Sequence, residues 1–261
     1  MMTINNILGV DVSHWQGVMD WPKTADRLKE INLAQTGMEV GFAIIRAGGG
    51  NYNVDPMFVQ NWEGAKSEEL GTTAYWFTAP TTNMGTLITA RQHYDKFMSV
   101  LCDRQPDFPL VVDCELDRGK SPAVVSSLIE NFFILLQGYG GHDYPIDYTS
   151  QGWWDPHVLP ASFWKKYPLH VANYTTAAVP LIPRDWTDWA IWQYSAGGNR
   201  RGPEFGATSP DIDLNRMRPE FWDKCLKPTP PPPPPSGLPD VLRVTIEIEG
   251  YEPTRVGVVK R

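Results

Sequence analysis

Two acidic residues, Asp113 and Glu115, stand two positions apart at the end of the apolar segment from Phe108 to Val112. Successive side chains of a β-strand alternate between its faces, so both carboxyl groups are predicted to project to one face, with Cys114 on the other. Like charges held close together raise the pKa of one group, which leaves one proton to donate and one carboxylate to stabilise positive charge. This division of labour suits the cleavage of a glycosidic bond. On its own the pair is a weak signal, because many strands simply end in acidic residues.

Apolar segments of strand length recur along the first 215 residues, and helical patterns separate the early ones. Eight strands are predicted: Ile7 to Ser13, Val40 to Arg46, Thr72 to Phe77, Leu110 to Glu115, Pro145 to Thr149, His170 to Tyr174, Ala190 to Tyr194 and Asp211 to Leu214. Four helices are predicted: Trp21 to Asn32, Asp55 to Leu70, Met84 to Leu101, and one that opens at Ser121 and stops before Gly138. Alternating strands and helices favour a parallel sheet closed into a barrel, with functional groups at the C-terminal ends of the strands.

The second half of this barrel is predicted to be irregular. After Tyr174 the chain runs through Pro180, Pro183 and Asp185, which leaves no room for an ordinary helix before the next strand. The predicted fold class is therefore α/β, an irregular (β/α) barrel with eight strands and reduced helices in its second half, over residues 1–226.

Six segments, in this order, resemble the glycoside hydrolase family 25 lysozymes over roughly residues 7–222. They are Gly9 to Gly17, Phe42 to Ala47, Ala74 to Phe77, Asp113 to Glu115, Ile191 to Tyr194 and Ile212 to Asn215. The resemblance implies an N-acetylmuramidase that cleaves the β-1,4 bond between N-acetylmuramic acid and N-acetylglucosamine in peptidoglycan. It also implies that Glu115 is the general acid, with Asp11, Asp113 and Asp213 as the other acidic members of the site.

One position departs from the family pattern, and at another place two aspartates compete for one site position. Members of the family often carry tryptophan where this chain has His170, which affects the expected sugar contacts on that strand. Asp211 and Asp213 both point to one face if the strand is regular. The sequence around Asp213, Ile-Asp-Leu-Asn, favours Asp213 as the site residue.

Aromatic residues near the predicted strand ends could line a saccharide groove, because their flat apolar rings match the C–H faces of sugars. The predicted substrate-binding residues are Trp15, Tyr75, Trp76, Tyr148, Tyr174, Trp192 and Tyr194. Each of them could instead belong to the core. Trp62, Trp164 and Trp222 are predicted to be structural, and His14 to support the site through a hydrogen bond.

Composition excludes several other classes of protein. With 261 residues, 42% of them hydrophobic and 20% charged, the chain can bury one large core. A net charge of −7 without a cluster of Lys and Arg argues against a nucleic-acid partner. Three scattered cysteines, Cys102, Cys114 and Cys225, indicate neither a disulfide framework nor a metal site, and no cofactor is expected.

The expected location follows from the ends and hydropathy of the chain. No segment approaches about 18 consecutive apolar residues, and the N-terminus lacks the pattern of a signal peptide, so neither membrane insertion nor classical export is expected. By analogy with phage or prophage endolysins, the expected place is the host bacterial cytoplasm before release to the cell wall. Secretion by a non-classical route is the alternative.

The C-terminal part has a different composition. Residues 227–237 include a run of six prolines, Pro230 to Pro235, and predict a stiff polyproline linker. Residues 238–261 alternate apolar and polar side chains around Gly250 and predict a β-hairpin. A lone hairpin is marginally stable in water, so it is expected to form a homo-oligomer, to dock on the barrel or to attach to a partner.

Several mechanisms and functions stay open at this stage. Glu115 could protonate the glycosidic oxygen while Asp113 orients the substrate N-acetyl group as an internal nucleophile. Direct attack by water, with Asp11 or Asp213 as base, is the rival, so the stereochemical outcome is open. A catalytically silent sugar-binding barrel or structural phage component is the alternative from another class. A chitinase-like enzyme shares the Asp-x-Glu spacing, but the longer acidic strand motif that usually precedes it is missing here.

Overall fold

The computed structural model describes residues 6–50, 53–80 and 86–226, and the predicted linker and hairpin lie outside these ranges. Nine strands and six α-helices follow one another in the described chain. They are β1 (Ile7–Val12), α1 (Trp21–Thr36), β2 (Phe42–Gly49), β3 (Asn53–Val54), α2 (Phe58–Ser67), β4 (Gly71–Thr78), α3 (Thr86–Leu101), β5 (Val111–Cys114), α4 (Pro122–Leu136), β6 (Ile146–Thr149), α5 (Gln151–His157), β7 (Leu169–Ala172), β8 (Ile191–Ser195), β9 (Asp213–Met217) and α6 (Pro219–Leu226).

Eight of these strands close into a barrel, as predicted. Their order is β1-β9-β8-β7-β6-β5-β4-β2, and pairing of β1 with β2 closes the ring, while β3 pairs with the end of β2. The expectation of a purely parallel sheet is wrong at one strand, because β9 is antiparallel to both β1 and β8. Between β8 and β9 the chain forms only two short 3-10 turns, Gly197–Arg200 and Gly202–Phe205. No helix in this segment carries the chain back across the barrel, as a parallel connection would require.

Side chains on the two faces of the strands build two separate apolar layers. The inner one fills the barrel with Ile7, Phe42, Ile44, Phe108, Val111, Ile146, Ile191 and Met217, and α6 adds Trp222 and Cys225. The outer layer lies between strands and helices and includes Trp62 and Trp164. Trp62, Trp164 and Trp222 are all buried, which agrees with their predicted structural role. Full burial of a large apolar side chain contributes about 1.5–3 kcal/mol.

Local sequence signals explain where the helices begin. Asp20 caps α1 by accepting a hydrogen bond from the Lys23 amide at 3.2 Å, and Gly37 ends the helix with a φ of +78°. Ser121 and Pro122 start α4 where the sequence predicts, although the Ser121 side chain makes no capping hydrogen bond.

The second half of the barrel is irregular, as expected. The helix between β6 and β7 has seven residues, and no α-helix connects β7 to β8. In the part of the chain that the structure describes, no helix is long and apolar enough to cross a membrane.

Candidate active site

A pocket of about 230 Å³ opens at the C-terminal end of the parallel strands. It is lined by Asp11, Ile44, Arg46, Tyr75, Phe77, Val111, Asp113, Glu115, Tyr148, His170, Gln193 and Asp213. All four acidic residues predicted from the sequence are among them. Asp211, the competitor of Asp213, is exposed and precedes β9. The acidic residues are thus brought together where a barrel of parallel strands usually places its functional groups.

Asp11 and Asp213 form one pair of carboxyl groups in this pocket. They are opposite residues of the antiparallel β1–β9 pairing, and a hydrogen bond joins the two carboxyls. Burial, followed by the charge of Asp213, raises the pKa of Asp11 to about 8. Burial also raises the pKa of Asp213, but hydrogen bonds from the Gly197 amide, at 3.0 Å, and from Asp11 oppose that rise. The proton of the pair therefore resides on Asp11, and Asp213 is the more readily ionised partner.

Asp113 and Glu115 form the second pair. Asp113 is buried on β5, and one of its oxygens has no hydrogen-bond partner in the described chain. Burial and then the charge of Glu115 raise its pKa well above the usual range. Glu115 follows the strand and is exposed at the pocket mouth, yet desolvation by the pocket wall raises its pKa as well. Burial and the like charges therefore favour one shared proton over two ionised carboxylates in this pair.

One cation lines this acidic pocket among the described residues. Arg46 projects inward from β2, and its guanidinium lies 5.7 Å from the centre of the Phe77 ring. Its charge lowers the pKa of Asp113 and of Glu115, against the effect of burial. Arg46 thus favours a negative charge on the second carboxyl pair.

Two buried amides hold Asp11 in place. Gln193 and Asn215 each donate a hydrogen bond of 2.8 Å to Oδ2 of Asp11. The carbonyl oxygen of Gln193 accepts hydrogen bonds from the hydroxyls of Tyr148, at 2.9 Å, and Tyr174, at 2.6 Å. Neither amide is predicted as a site residue from the sequence, although the strand alternation that places Asp213 in the barrel also places Asn215 there.

The aromatic residues predicted to bind substrate divide by strand face. Tyr75 and Tyr148 line the pocket. Trp76 and Trp192 are buried in the outer layer, and Tyr194 packs against that layer with the Arg216 guanidinium 4.1 Å from its ring centre. The assignment of these last three to a saccharide groove is therefore corrected, because each follows or precedes an inward-facing residue and must point outward.

Tyr174 and Trp15 lie beside the pocket rather than in it. Tyr174 lines an adjoining groove of about 500 Å³ together with Ser150, Gln151, Asn173 and Leu181. Glu115 and Tyr148 line both the pocket and this groove. Glu115 therefore stands at the junction between a deep acidic compartment and a more open one.

Trp15 is presented to solvent on a braced turn after β1. It is 71% exposed, and the Ser13 and Gln16 side chains cap the 3-10 turn that carries it. His14 in the same turn pairs with Asp55 at 2.7 Å, so its supporting hydrogen bond goes to Asp55 and not to Asp11. The bracing leaves Trp15 as a fixed aromatic surface at the end of the barrel that carries the pocket.

No group of three or more His, Cys, Asp or Glu side chains with metal-binding geometry occurs within residues 6–50, 53–80 and 86–226.

Comparison with known proteins gives a consistent result. Residues 10–203 match the sequence profile of the family described as glycosyl hydrolases family 25. Lysozyme M1 of Streptomyces globisporus is 28% identical over 226 residues, which cover 82% of this chain and 68% of that protein. The protein YegX of Escherichia coli K12 is 29% identical over 210 residues, which cover 80% of this chain and 68% of YegX.

Solved structures share the fold. A bacterial lysozyme from Streptomyces coelicolor superposes with a TM-score of 0.68 at 25% identity, over 85% of this chain and 98% of that one. A family 25 glycosyl hydrolase from Bacillus anthracis superposes with a TM-score of 0.64 at 23% identity, over 84% and 92% of the two chains.

The match to this family, on a barrel with paired carboxyl groups in a pocket at its C-terminal end, shows that the protein is a glycoside hydrolase. The profile match covers about three quarters of the sequence, and the chain belongs to glycosyl hydrolase family 25.

Proposed function

We propose that this protein is an N-acetylmuramidase, which hydrolyses the β-1,4 bond between N-acetylmuramic acid and N-acetylglucosamine in peptidoglycan. The observation that carries the proposal is the position of Glu115 between the acidic pocket and the adjoining groove. A general acid must reach the oxygen that joins two sugars, one on each side of it. The pocket would hold the sugar whose anomeric carbon reacts, and the groove would hold the leaving sugar.

Glu115 acts as the general acid in this proposal. It is exposed at the pocket mouth, so it can approach a glycosidic oxygen, and burial by the pocket wall raises its pKa, which favours the protonated form that a general acid needs. In the empty pocket the shared proton favours the more deeply buried Asp113. When a sugar fills the pocket, an acetamido N–H that donates to Asp113 stabilises its ionised form and moves the proton to Glu115.

Asp113 then orients the acetamido group of the reacting sugar. Its carboxylate accepts the N–H and polarises the amide, so the acetyl carbonyl oxygen attacks the anomeric carbon while Glu115 protonates the leaving oxygen. Water subsequently opens the cyclic intermediate with Glu115 as base. Two displacements at one carbon give retention of configuration.

The Asp11–Asp213 pair contributes charge on the other side of the pocket. Asp213 is the more readily ionised member, because two hydrogen bonds lower its pKa relative to burial alone. Its negative charge would stabilise the oxocarbenium character that develops at the anomeric carbon. Direct water attack with Asp11 or Asp213 as base is the competing mechanism.

A binding protein without activity is disfavoured by electrostatics. Four carboxyl groups converge in one pocket, and the pKa values of all four are raised, chiefly by burial. Burying acids in this way is unfavourable for stability, and perturbed groups of this kind cluster at catalytic sites.

An assay of bond type tests the reaction class. Purified peptidoglycan is incubated with the protein, and new reducing ends and new free amino groups are counted. A glycosidase produces reducing ends alone, whereas an amidase or peptidase produces amino groups. Glu115→Gln serves as the inactive control, and unchanged reducing ends with the wild-type protein would refute the proposal.

Two further points stay predictions of the sequence. The endolysin-like location, in the host cytoplasm before release to the wall, follows from family analogy. The second is self-association through residues 238–261, a part of the chain that lies outside the described residues.

A further inference from the structure

His170 on β7 lines the acidic pocket and is almost completely buried. The residue is 2% exposed, and its Nε2 lies 2.8 Å from Oδ1 of Asn215. Nδ2 of Asn215 donates to Oδ2 of Asp11, also at 2.8 Å. His170 is thus joined to a pocket carboxyl through a single amide.

The chemistry of the groups determines the direction of both hydrogen bonds. Oδ2 of Asp11 accepts from two amides, so Asn215 presents its NH₂ to Asp11 and its carbonyl oxygen to His170. A carbonyl oxygen can only accept, so Nε2 of His170 carries a hydrogen. Burial lowers the pKa of His170 to about 4. The ring is therefore neutral near pH 7, with Nδ1 unprotonated and without a hydrogen-bond partner in the described chain.

Gln193 forms a second arm of the same arrangement. Its carbonyl oxygen accepts from Tyr148 and Tyr174, which turns its NH₂ towards Asp11. The ring of His170 packs edge-on against Tyr148, with centroids 4.8 Å apart. The two arms therefore meet at the Tyr148–His170 contact and close a ring of interactions through β6, β7, β8, β9 and β1.

These connected hydrogen bonds determine which oxygen of Asp11 holds the proton. Both amides donate to Oδ2, so the other oxygen is left for the hydrogen bond with Asp213. If the amide of Asn215 were turned over, its carbonyl oxygen would face Oδ2, and two acceptors would repel each other. The proton would then favour Oδ2, and the bond between Asp11 and Asp213 would be weakened.

We propose that His170 is a positioning residue of the active site: by donating from Nε2 to Asn215, it holds that amide so that the proton of the Asp11–Asp213 pair stays between the two carboxyls. The inference rests on the proposed function in treating this pair as part of the catalytic pocket. The hydrogen-bond chain itself can be tested without substrate.

Other titratable groups face the pair and must be considered in any titration. They are Asp113 and Glu115 from the β5 segment, Arg46 from β2, Tyr75 from β4, Tyr148 from β6 and Tyr174 after β7. The hydrogen bond of Nε2 goes to Asn215, so a change at that nitrogen reports on the Asn215 connection.

The first test uses the wild-type full chain. Long-range ¹H–¹⁵N NMR spectra of the imidazole distinguish the two neutral tautomers and the charged ring. The expected result is a neutral His170 protonated at Nε2 from pH 5 to pH 8. A ring protonated at Nδ1, or charged at pH 6, would overturn the proposal.

The second test uses two substitutions of opposite design. In His170→Gln the amide nitrogen occupies roughly the position of Nε2 and keeps the donor, whereas in His170→Asn it corresponds to Nδ1 and the donor to Asn215 is lost. Carbon-13 NMR of the aspartate carboxyls should show the Asp11–Asp213 titration near wild type for His170→Gln. For His170→Asn it should move to higher pH by about one unit, because Asp11 loses the hydrogen bond from Asn215 that lowers its pKa, and this outweighs the weaker bond to Asp213.

Kinetics and a control separate positioning from packing. His170→Asn should lower kcat about tenfold with KM within about twofold, because a turned Asn215 no longer donates to Asp11, and one hydrogen bond contributes up to about a factor of ten. His157→Asn removes a histidine that stacks on Trp153 outside the pocket and should leave the titration unchanged.

If both His170 variants lower the melting temperature while the pair titrates as in the wild type, His170 is only a packing residue and the proposal is wrong. If His170→Asn does not fold, the wild-type tautomer decides.

Activity and positioning can fail separately. A wild-type protein with Nε2 protonated and no glycosidase activity contradicts the proposed function but supports the hydrogen-bond chain. An active protein with Nδ1 protonated contradicts the role of His170 alone.

Discussion

Asp11 and Asp213 are opposite residues on β1 and β9, and a hydrogen bond joins their carboxyl groups. The relationship exists because β9 runs antiparallel to β1, so that the start of one strand meets the end of the other. A parallel β9 of the same sequence would place Asp213 at the opposite end of the barrel. The direction of a single strand therefore assembles half of the acidic site.

The first prediction concerns the proton donor. Glu115→Gln keeps the shape of the side chain but removes its proton, and general acid catalysis contributes about 10²–10⁴ in rate. The release of reducing ends from peptidoglycan should fall by that factor, with the melting temperature close to wild type. Glu130→Gln, an exposed residue of α4, is the matched control and should be fully active. Retention of more than about a tenth of the wild-type rate by Glu115→Gln would assign the acid elsewhere.

The second prediction concerns Asp113 and the stereochemistry. Asp113→Asn preserves the contact with an acetamido group but not the charge, so glycan fragments should still bind while turnover falls by about 10²-fold or more. A proton NMR time course of the wild-type reaction should show the product anomer with retained configuration. Inversion would favour direct attack by water, with Asp11 or Asp213 as the base.

Strand alternation explains which site residues the sequence predicts correctly. Asp113 and Glu115 are predicted to share a face, and the structure places both in the pocket. Tyr75 and Trp76 were both assigned to the groove, but adjacent residues of a strand cannot both face inward. The same rule sends Trp192 outward and Gln193 inward.

Long-range contacts explain what the sequence does not reveal. Local patterns give the number and approximate limits of the strands, but the direction of β9 depends on how residues 196–212 fold. The role of His170 depends on Asn215, 45 positions later. Neither hydropathy nor residue spacing predicts a contact between residues so far apart in the sequence.

The third prediction concerns Asp147, a buried acid outside the pocket. It is 0% exposed on the outer face of β6, and neither carboxyl oxygen has a nitrogen or oxygen hydrogen-bond partner in the described chain. Burial raises its pKa well above the usual range, the charge of Asp185 adds to this, and the thiol of Cys114 opposes it. A group that keeps its proton in the folded state but loses it in the unfolded state stabilises the fold at low pH.

The stability that Asp147 contributes should therefore decline as the pH rises above the unfolded pKa, by about 1.4 kcal/mol per pH unit until the folded group ionises. Asp147→Asn stays neutral at every pH and should reduce this slope. Denaturant unfolding at pH 5, 6.5 and 8 measures the effect. The free energy of unfolding of the variant, relative to that of the wild type, should rise with each increase in pH. Asp143→Asn, an exposed neighbour, is the control. Parallel pH curves for Asp147→Asn and wild type would show that Asp147 is ionised in the native state.

The fourth prediction concerns the C-terminal segment, which lies outside the described residues. The alternating stripe of Leu242, Val244, Ile246 and Ile248 would leave an apolar hairpin face uncovered in a monomer. Light scattering should give a mass of several copies for the full chain and of one copy for a version ending at Lys227. Such an assembly would join several catalytic barrels through one hub of associated C-terminal segments. It would raise the effective concentration of active sites on an insoluble polymer. Equal monomeric masses would rule out the hub, and binding of the full chain to isolated cell walls would then test attachment.

The identity of the sugar at the newly formed reducing end tests the central claim most directly. Peptidoglycan digested with the wild-type protein is reduced with borohydride, hydrolysed and analysed by mass spectrometry. An N-acetylmuramidase leaves N-acetylmuramic acid as the new reducing end. Borohydride reduces this sugar and hydrolysis releases it as muramitol, so muramitol should rise with the extent of digestion. Formation of glucosaminitol instead, or no increase in either alditol, would contradict the account.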